Sequence, residues 1–261
     1  MKSLYRAFLV LSVAAFFAAT GFAQQSTAPA DQTSTAASSQ SSAQSSDQNL
    51  PDSPGAQVPV DLQPSGPTAV FDTSMGRMTC KLFSKFAPMT VANFIGLAEG
   101  AKDWTNPATH QTMHGKPLYN GTIFHRVIPG FMIQGGDPLG TGEGDPGYFI
   151  NDEIDPNLNF EVAGRLAMAN SGPNTDGSQF FITVAPYPSL DQHYTIFGQC
   201  DQHSVLVAQT ISEVERDANN KPLEPVALNK VTIVPNGQPL PPPLSSNAAP
   251  AAAATTPQTN P

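Results

Sequence analysis

Along the middle of the chain, apolar and polar residues alternate in short runs, and this period of two predicts strands. In Arg77–Phe83, Met78, Cys80 and Leu82 fall on one side, and Arg77, Thr79 and Lys81 on the other. Ala69–Phe71 reads as the strand before it, with a hairpin turn at Ser74-Met75-Gly76. The period then changes. After Pro88, Val91, Phe94, Ile95 and Ala98 are spaced for one helical face, and Gly100 is placed to stop the helix. Strands are predicted again at Thr122–Val127, Phe131–Gln134, Arg165–Ala169, Gln179–Val184 and Tyr194–Cys200. A second helix follows at Val205–Val214 and a closing strand at Val226–Val234. Within Thr122–Val127 the alternation puts Phe124 and Arg126 on one face, and His125 and Val127 on the other. Ala101–Leu118 carries no usable pattern. Many short strands with two helices far apart predict a mainly β fold, a closed antiparallel barrel capped by helices.

The flanks are different in kind. Residues 1–23 read as a secretory signal peptide: Lys2 and Arg6 are basic, Ala7–Ala19 is apolar, and Gly21-Phe22-Ala23 is a small-residue cleavage pattern. The apolar run is shorter than the ~20 residues a membrane-spanning helix needs, so no stable membrane insertion is expected after cleavage. Residues 24–66, rich in Ser, Gln, Ala and Thr, read as a disordered linker, and residues 236–261 as a disordered Pro/Ala tail. Residues 67–235 remain for one domain. The flanks explain why only 39% of residues are hydrophobic and 13% charged. The net charge is −9, and loss of Lys2 and Arg6 with the leader would take it to −11. An acidic chain lacks the basic footprint of a nucleic-acid binder. The two cysteines, Cys80 and Cys200, form no C-x-x-C pattern. On strands facing one core they are either a disulfide or two buried thiols.

The standard reactive patterns are absent: there is no G-x-S-x-G and no H-E-x-x-H. His110 and His114 are spaced for a helical metal pair, but Pro107 and Gly115 make a surface loop the better reading. Gly140-Thr141-Gly142-Glu143-Gly144 lacks the Lys-Ser/Thr of a phosphate loop and carries acid, so it reads as a tight loop. No metal or cofactor is expected. Two stretches stand out, FHRVIPGFMIQGGD at 124–137 and MANSGPNTDGSQFFIT at 168–183. Alone, Phe124 and Phe180 read as core residues, and Arg126 as a surface salt-bridge partner.

Both stretches resemble the cyclophilin family of peptidyl-prolyl cis-trans isomerases, with support from PMTVANF at 88–94, GTG at 140–142 and LDQHYTIFG at 190–198. The resemblance runs over about residues 68–234. It implies a closed eight-stranded antiparallel barrel with two helices. It implies a catalytic role for Arg126 and a proline pocket of Phe131, Met132, Phe181 and Leu190. It also implies polar substrate contacts at Gln134, Asn170 and Gln179, with Ala169 and Ser171 beside them and a structural role for His125. Tyr194 stands where well-known eukaryotic members have a pocket histidine. No tryptophan precedes Leu190; Ser189 stands there, so cyclosporin is expected to bind weakly. The implied activity is rotation about X-Pro bonds in flexible or unfolded polypeptides. The expected protein is an exported monomer, periplasmic or secreted, that assists folding. A module that grips proline segments without turnover is the alternative. A weaker one gives the function to the tether and tail, in surface attachment.

Overall fold

The computed structural model describes residues 62–244. The signal peptide read at 1–23, the linker up to residue 61 and the tail from residue 245 lie outside the described residues. The elements are β1 (Thr68–Thr73), β2 (Gly76–Leu82), α1 (Pro88–Glu99), β3 (Trp104–Thr105), β4 (Thr112–Met113), β5 (Thr122–Ile123), β6 (Arg126–Ile128), β7 (Met132–Gly135), β8 (Arg165–Met168), β9 (Phe180–Thr183), β10 (Ile196–Cys200), α2 (Gln202–Ser212) and β11 (Ala227–Val234).

Nine strands form one antiparallel sheet in the order β5-β11-β1-β2-β10-β8-β9-β7-β6. The sheet is open, which corrects the expectation of a closed eight-stranded barrel. Its two edge strands, β5 and β6, are consecutive pieces of one run of chain, and a strand cannot hydrogen-bond to its own continuation. Between them the partner changes: the Phe124 N–H donates to the Val226 carbonyl, and the His125 N–H to the Gln134 carbonyl. This switch also breaks the period of two. Phe124 joins Val127 in the main core, not Arg126 on the outer face. The face assignment drawn from strict alternation therefore fails at this point.

The β1–β2 hairpin forms as its sequence predicts, with Thr73 opposite Gly76. Met78, Cys80 and Leu82 are fully buried. The helix opened by Pro88 ends at Gly100 in the left-handed region (φ 74°), where glycine avoids a Cβ penalty. Its first N–H groups are satisfied from far along the chain: Glu153 accepts from Met89 and Thr90. The second helix starts earlier than its apolar spacing suggests, because Asp201 caps it by accepting the Ser204 N–H at 2.7 Å. The segment without a pattern folds as the β3–β4 hairpin, with Trp104 buried and its indole N–H donating to the Lys116 carbonyl. His110 sits in that hairpin's loop, and His114 follows β4, exposed beside Asp103.

The main core packs Phe71, Phe94, Tyr119, Phe124, Phe180 and Phe197 between the sheet and α1. A second, smaller cluster forms on the other face of β7, β8 and β9, around Phe83, Met132, Phe160, Ala167, Phe181 and Leu190. Cys80 and Cys200 are register partners on β2 and β10 and are joined by a disulfide. Of the two alternatives open at the sequence level, the bond is the one the structure contains.

Candidate active site

The site is laid out by register on four adjacent strands. Arg126 on β6 opposes Gln134 on β7, Gln134 opposes Phe181 on β9, and Phe181 opposes Ala167 on β8. Directly opposed residues share a face, so these side chains emerge together over the smaller cluster. Residues between them, Val127, Ile133, Phe180 and Ile182, point into the main core. The period of two thus explains why pocket and core residues interleave in the sequence.

A cavity of about 140 Å³ opens on this face, lined by Arg126, Phe131, Met132, Gln134, Ala169, Asn170, Phe181, Leu190 and Tyr194. Every residue assigned to the site from sequence lines it except Ser171 and Gln179. These two line a second cavity, of about 250 Å³, which shares Gln134, Ala169 and Asn170 with the first. The aromatic walls are braced. Tyr194 meets Phe181 edge-on at 5.3 Å between ring centroids, and Phe160 stacks behind Phe181 at 5.9 Å. Tyr187 lies 4.3 Å from Phe131. Phe160 and Tyr187 escaped the sequence reading, since nothing local ties either to the pocket. Ser189 is exposed and borders a neighbouring hollow beside Tyr194.

The polar side is one chain of hydrogen bonds. The Arg126 guanidinium donates to Gln134 Oε1 at 3.3 Å, and Gln134 Nε2 donates to Gln179 Oε1 at 2.9 Å. Gln179 Nε2 donates to the carbonyls of Gly142 and Gly144, each at 2.9 Å. These carbonyls are held by Asp137, which is fully buried and accepts the N–H groups of Leu139, Thr141 and Gly142 at 2.6, 2.9 and 2.6 Å. Burial alone would raise its pKa, but those backbone donors prevail and keep the carboxyl below its usual value. At Gly144 a Cβ would overlap the Asp137 carboxylate, so only glycine fits this loop. His125, beside Arg126, is buried. Desolvation lowers its pKa, with the Asp137 charge pulling the other way.

Behind Asn170 lies a group that sequence reasoning missed. Asp176 is fully buried, accepts from the Thr195 hydroxyl at 2.7 Å, and faces Asp152 and Glu153. Burial, reinforced by those two carboxylates, pushes its pKa up to about 6. An aspartate in the unfolded chain titrates near 3.9. A raised folded value means that ionised Asp176 costs stability at neutral pH, and the cost is relieved as pH falls through 6 towards 4. Asp176→Asn should therefore be more stable than wild type at pH 7.5, and the margin should shrink by about 1 kcal/mol at pH 5. His125 titrates in both proteins and cancels in the comparison. Paired urea titrations at the two pH values test this; a margin independent of pH would refute it.

The family model described as cyclophilin type peptidyl-prolyl cis-trans isomerase/CLD matches residues 68–233. Peptidyl-prolyl cis-trans isomerase A of Mycobacterium tuberculosis is 50% identical over 167 residues, covering 64% of this chain and 91% of that protein. Peptidyl-prolyl cis-trans isomerase B of Streptomyces anulatus is 44% identical over 167 residues, covering 63% and 95%. A crystal structure of a Cryptosporidium parvum cyclophilin type isomerase, determined in the presence of the dipeptide Ala-Pro, aligns with a TM-score of 0.55 at 34% identity. It covers 65% of this chain and 99% of that one.

Proposed function

The chain belongs to the cyclophilin-type peptidyl-prolyl cis-trans isomerases and is an isomerase of X-Pro bonds, and we propose that it uses Arg126 as the catalytic group and acts on exported polypeptides. The observation that carries this reading is a small cavity with apolar walls and one guanidinium at its edge.

The barrier to X-Pro rotation, about 18–20 kcal/mol, comes from resonance in the C–N bond. As the amide twists, the proline nitrogen recovers its lone pair. A guanidinium aimed there donates to the twisted state and finds no such partner in the planar one. Arginine suits the task because it stays charged and its donors are rigidly arranged. Gln134 holds the guanidinium on one side. Phe131, Met132, Phe181 and Leu190 take the proline ring, with Tyr194 closing the wall. Gln134, Ala169 and Asn170 hold the adjoining backbone, and Ser171 and Gln179 continue the groove. The chemistry needs no covalent intermediate. An isomerisation assay on a proline peptide tests the reading, with acceleration expected. Binding without acceleration would make the domain a proline-gripping module.

Export rests on the leader pattern of residues 1–23, and the Cys80–Cys200 disulfide supports an oxidising compartment, periplasmic or secreted. The intact mass of the exported protein should place its N-terminus at or near Gln24; a retained leader would remove this part of the proposal. There the enzyme would assist folding as a monomer, meeting flexible proline-containing chains. Weak cyclosporin inhibition belongs to the same reading, since Ser189 offers no large aromatic surface. A side-by-side assay against a tryptophan-bearing member checks it, and equal inhibition would contradict it.

A further inference from the structure

We propose that the second cavity selects substrates carrying lysine or arginine beside the isomerised X-Pro bond, with Glu143 and Asp145 as the specificity-determining residues; this rests on the isomerase reading above. The two cavities share the wall of Gln134, Ala169 and Asn170. A peptide with its proline ring in the first can therefore drop a neighbouring side chain into the second. At about 250 Å³ the second is the larger, which suits a long side chain.

Its lining is one-sided in charge. Glu143 and Asp145 stand on it, and among the described residues no cationic side chain does. The exposed Glu143 carboxylate has no hydrogen bond or ion pair among the described residues, so it is available to a ligand. Asp145 gives one oxygen to the Gly147 N–H at 2.6 Å. Lys221, a cation touching this loop, donates its ammonium to the Gly140 carbonyl and lines a different hollow. Phe149, 57% exposed, adds an aromatic wall. Such a ring can pack the aliphatic stem of lysine or stack a guanidinium. The loop is held in advance by Asp137, so binding need not order it. A glutamate in the same place would meet two like charges.

The experiment uses peptides identical except for Lys, Ala or Glu at the one or two positions on either side of the X-Pro bond. Affinity is read by NMR titration, and kcat/KM by exchange. At the position over the cavity, lysine should exceed glutamate by about five-fold, the scale of an exposed ion pair. The ratio should fall towards one in high salt. Glu143→Lys should invert the order. Glu143→Gln with Asp145→Asn should level it, the asparagine keeping its bond to Gly147. Equal affinities at every position, or a lysine preference unchanged in both variants, would overturn the proposal. Lysine-selective binding without isomerisation would sink the isomerase reading and leave the pocket assignment standing. Turnover of alanine peptides without charge preference would do the reverse.

Discussion

Arg126→Ala should lower kcat/KM for X-Pro isomerisation by about 10²–10³ while leaving the fold and the affinity for proline peptides largely unchanged. Loss of one preorganised charged donor to a developing lone pair typically costs about 3–4 kcal/mol. That loss falls on kcat, because the lone pair exists only in the twisted state. The Arg126 side chain lies at the edge of the cavity and, among the described residues, hydrogen-bonds to Gln134, so its removal empties no core space. Arg126→Lys should recover little, since a single ammonium cannot reproduce the guanidinium's geometry. The wild-type rate should be nearly flat between pH 6 and 8. The lowered pKa of His125 puts its charge change on the acid side of its ordinary value. An exchange assay with circular dichroism as the fold control tests both statements. A folded Arg126→Ala retaining more than about a third of wild-type kcat/KM, a loss under ~1 kcal/mol, would defeat the mechanism.

Reducing the Cys80–Cys200 bond should destabilise the domain by about 3–5 kcal/mol. The two cysteines are 120 residues apart in sequence, and closing a loop of that length removes about 5 kcal/mol of chain entropy from the unfolded state. The bond also ties β2 to β10 at the centre of the sheet order. For a domain of this size the loss corresponds to a drop in Tm of roughly 10–15 °C. Thermal melts of the wild type with and without a reductant measure it, and Cys80→Ala with Cys200→Ala should melt alike in both. Two titratable thiols in the denatured, unreduced protein would show that the bond is not there.

Much of this was legible residue by residue. The alternation of Met78, Cys80 and Leu82, the Ser74-Met75-Gly76 turn, and the Pro88 start and Gly100 stop of α1 depend on interactions within a few positions. The candidate pocket was legible because the family's two long motifs carry nearly all of it on short stretches. Other features had no local trace. Glu153 caps α1 from 63 residues away, and Gln179 reaches back 37 residues to the Gly142 carbonyl. Apolar spacing alone starts α2 at Val205, later than Gln202 where the Asp201 cap begins it. The alternation rule failed at Phe124 because the chain there exchanges β11 for β7 as partner, and a period describes one strand with one set of neighbours.

The sequence by itself determined where the β1–β2 hairpin, α1 and the longer strands form, and on which two short stretches most of the site residues lie. Only the tertiary structure decided that the sheet stays open between β5 and β6, that Cys80 meets Cys200, that Asp176 is buried against two other carboxylates, and that an acidic cavity adjoins the proline pocket. The physical reason is range. Turn chemistry, helix caps and alternation are set by neighbours a few residues away. Strand order and register are set by the burial of the whole chain at once, and they bring together residues whose local sequence bears no mark of the contact.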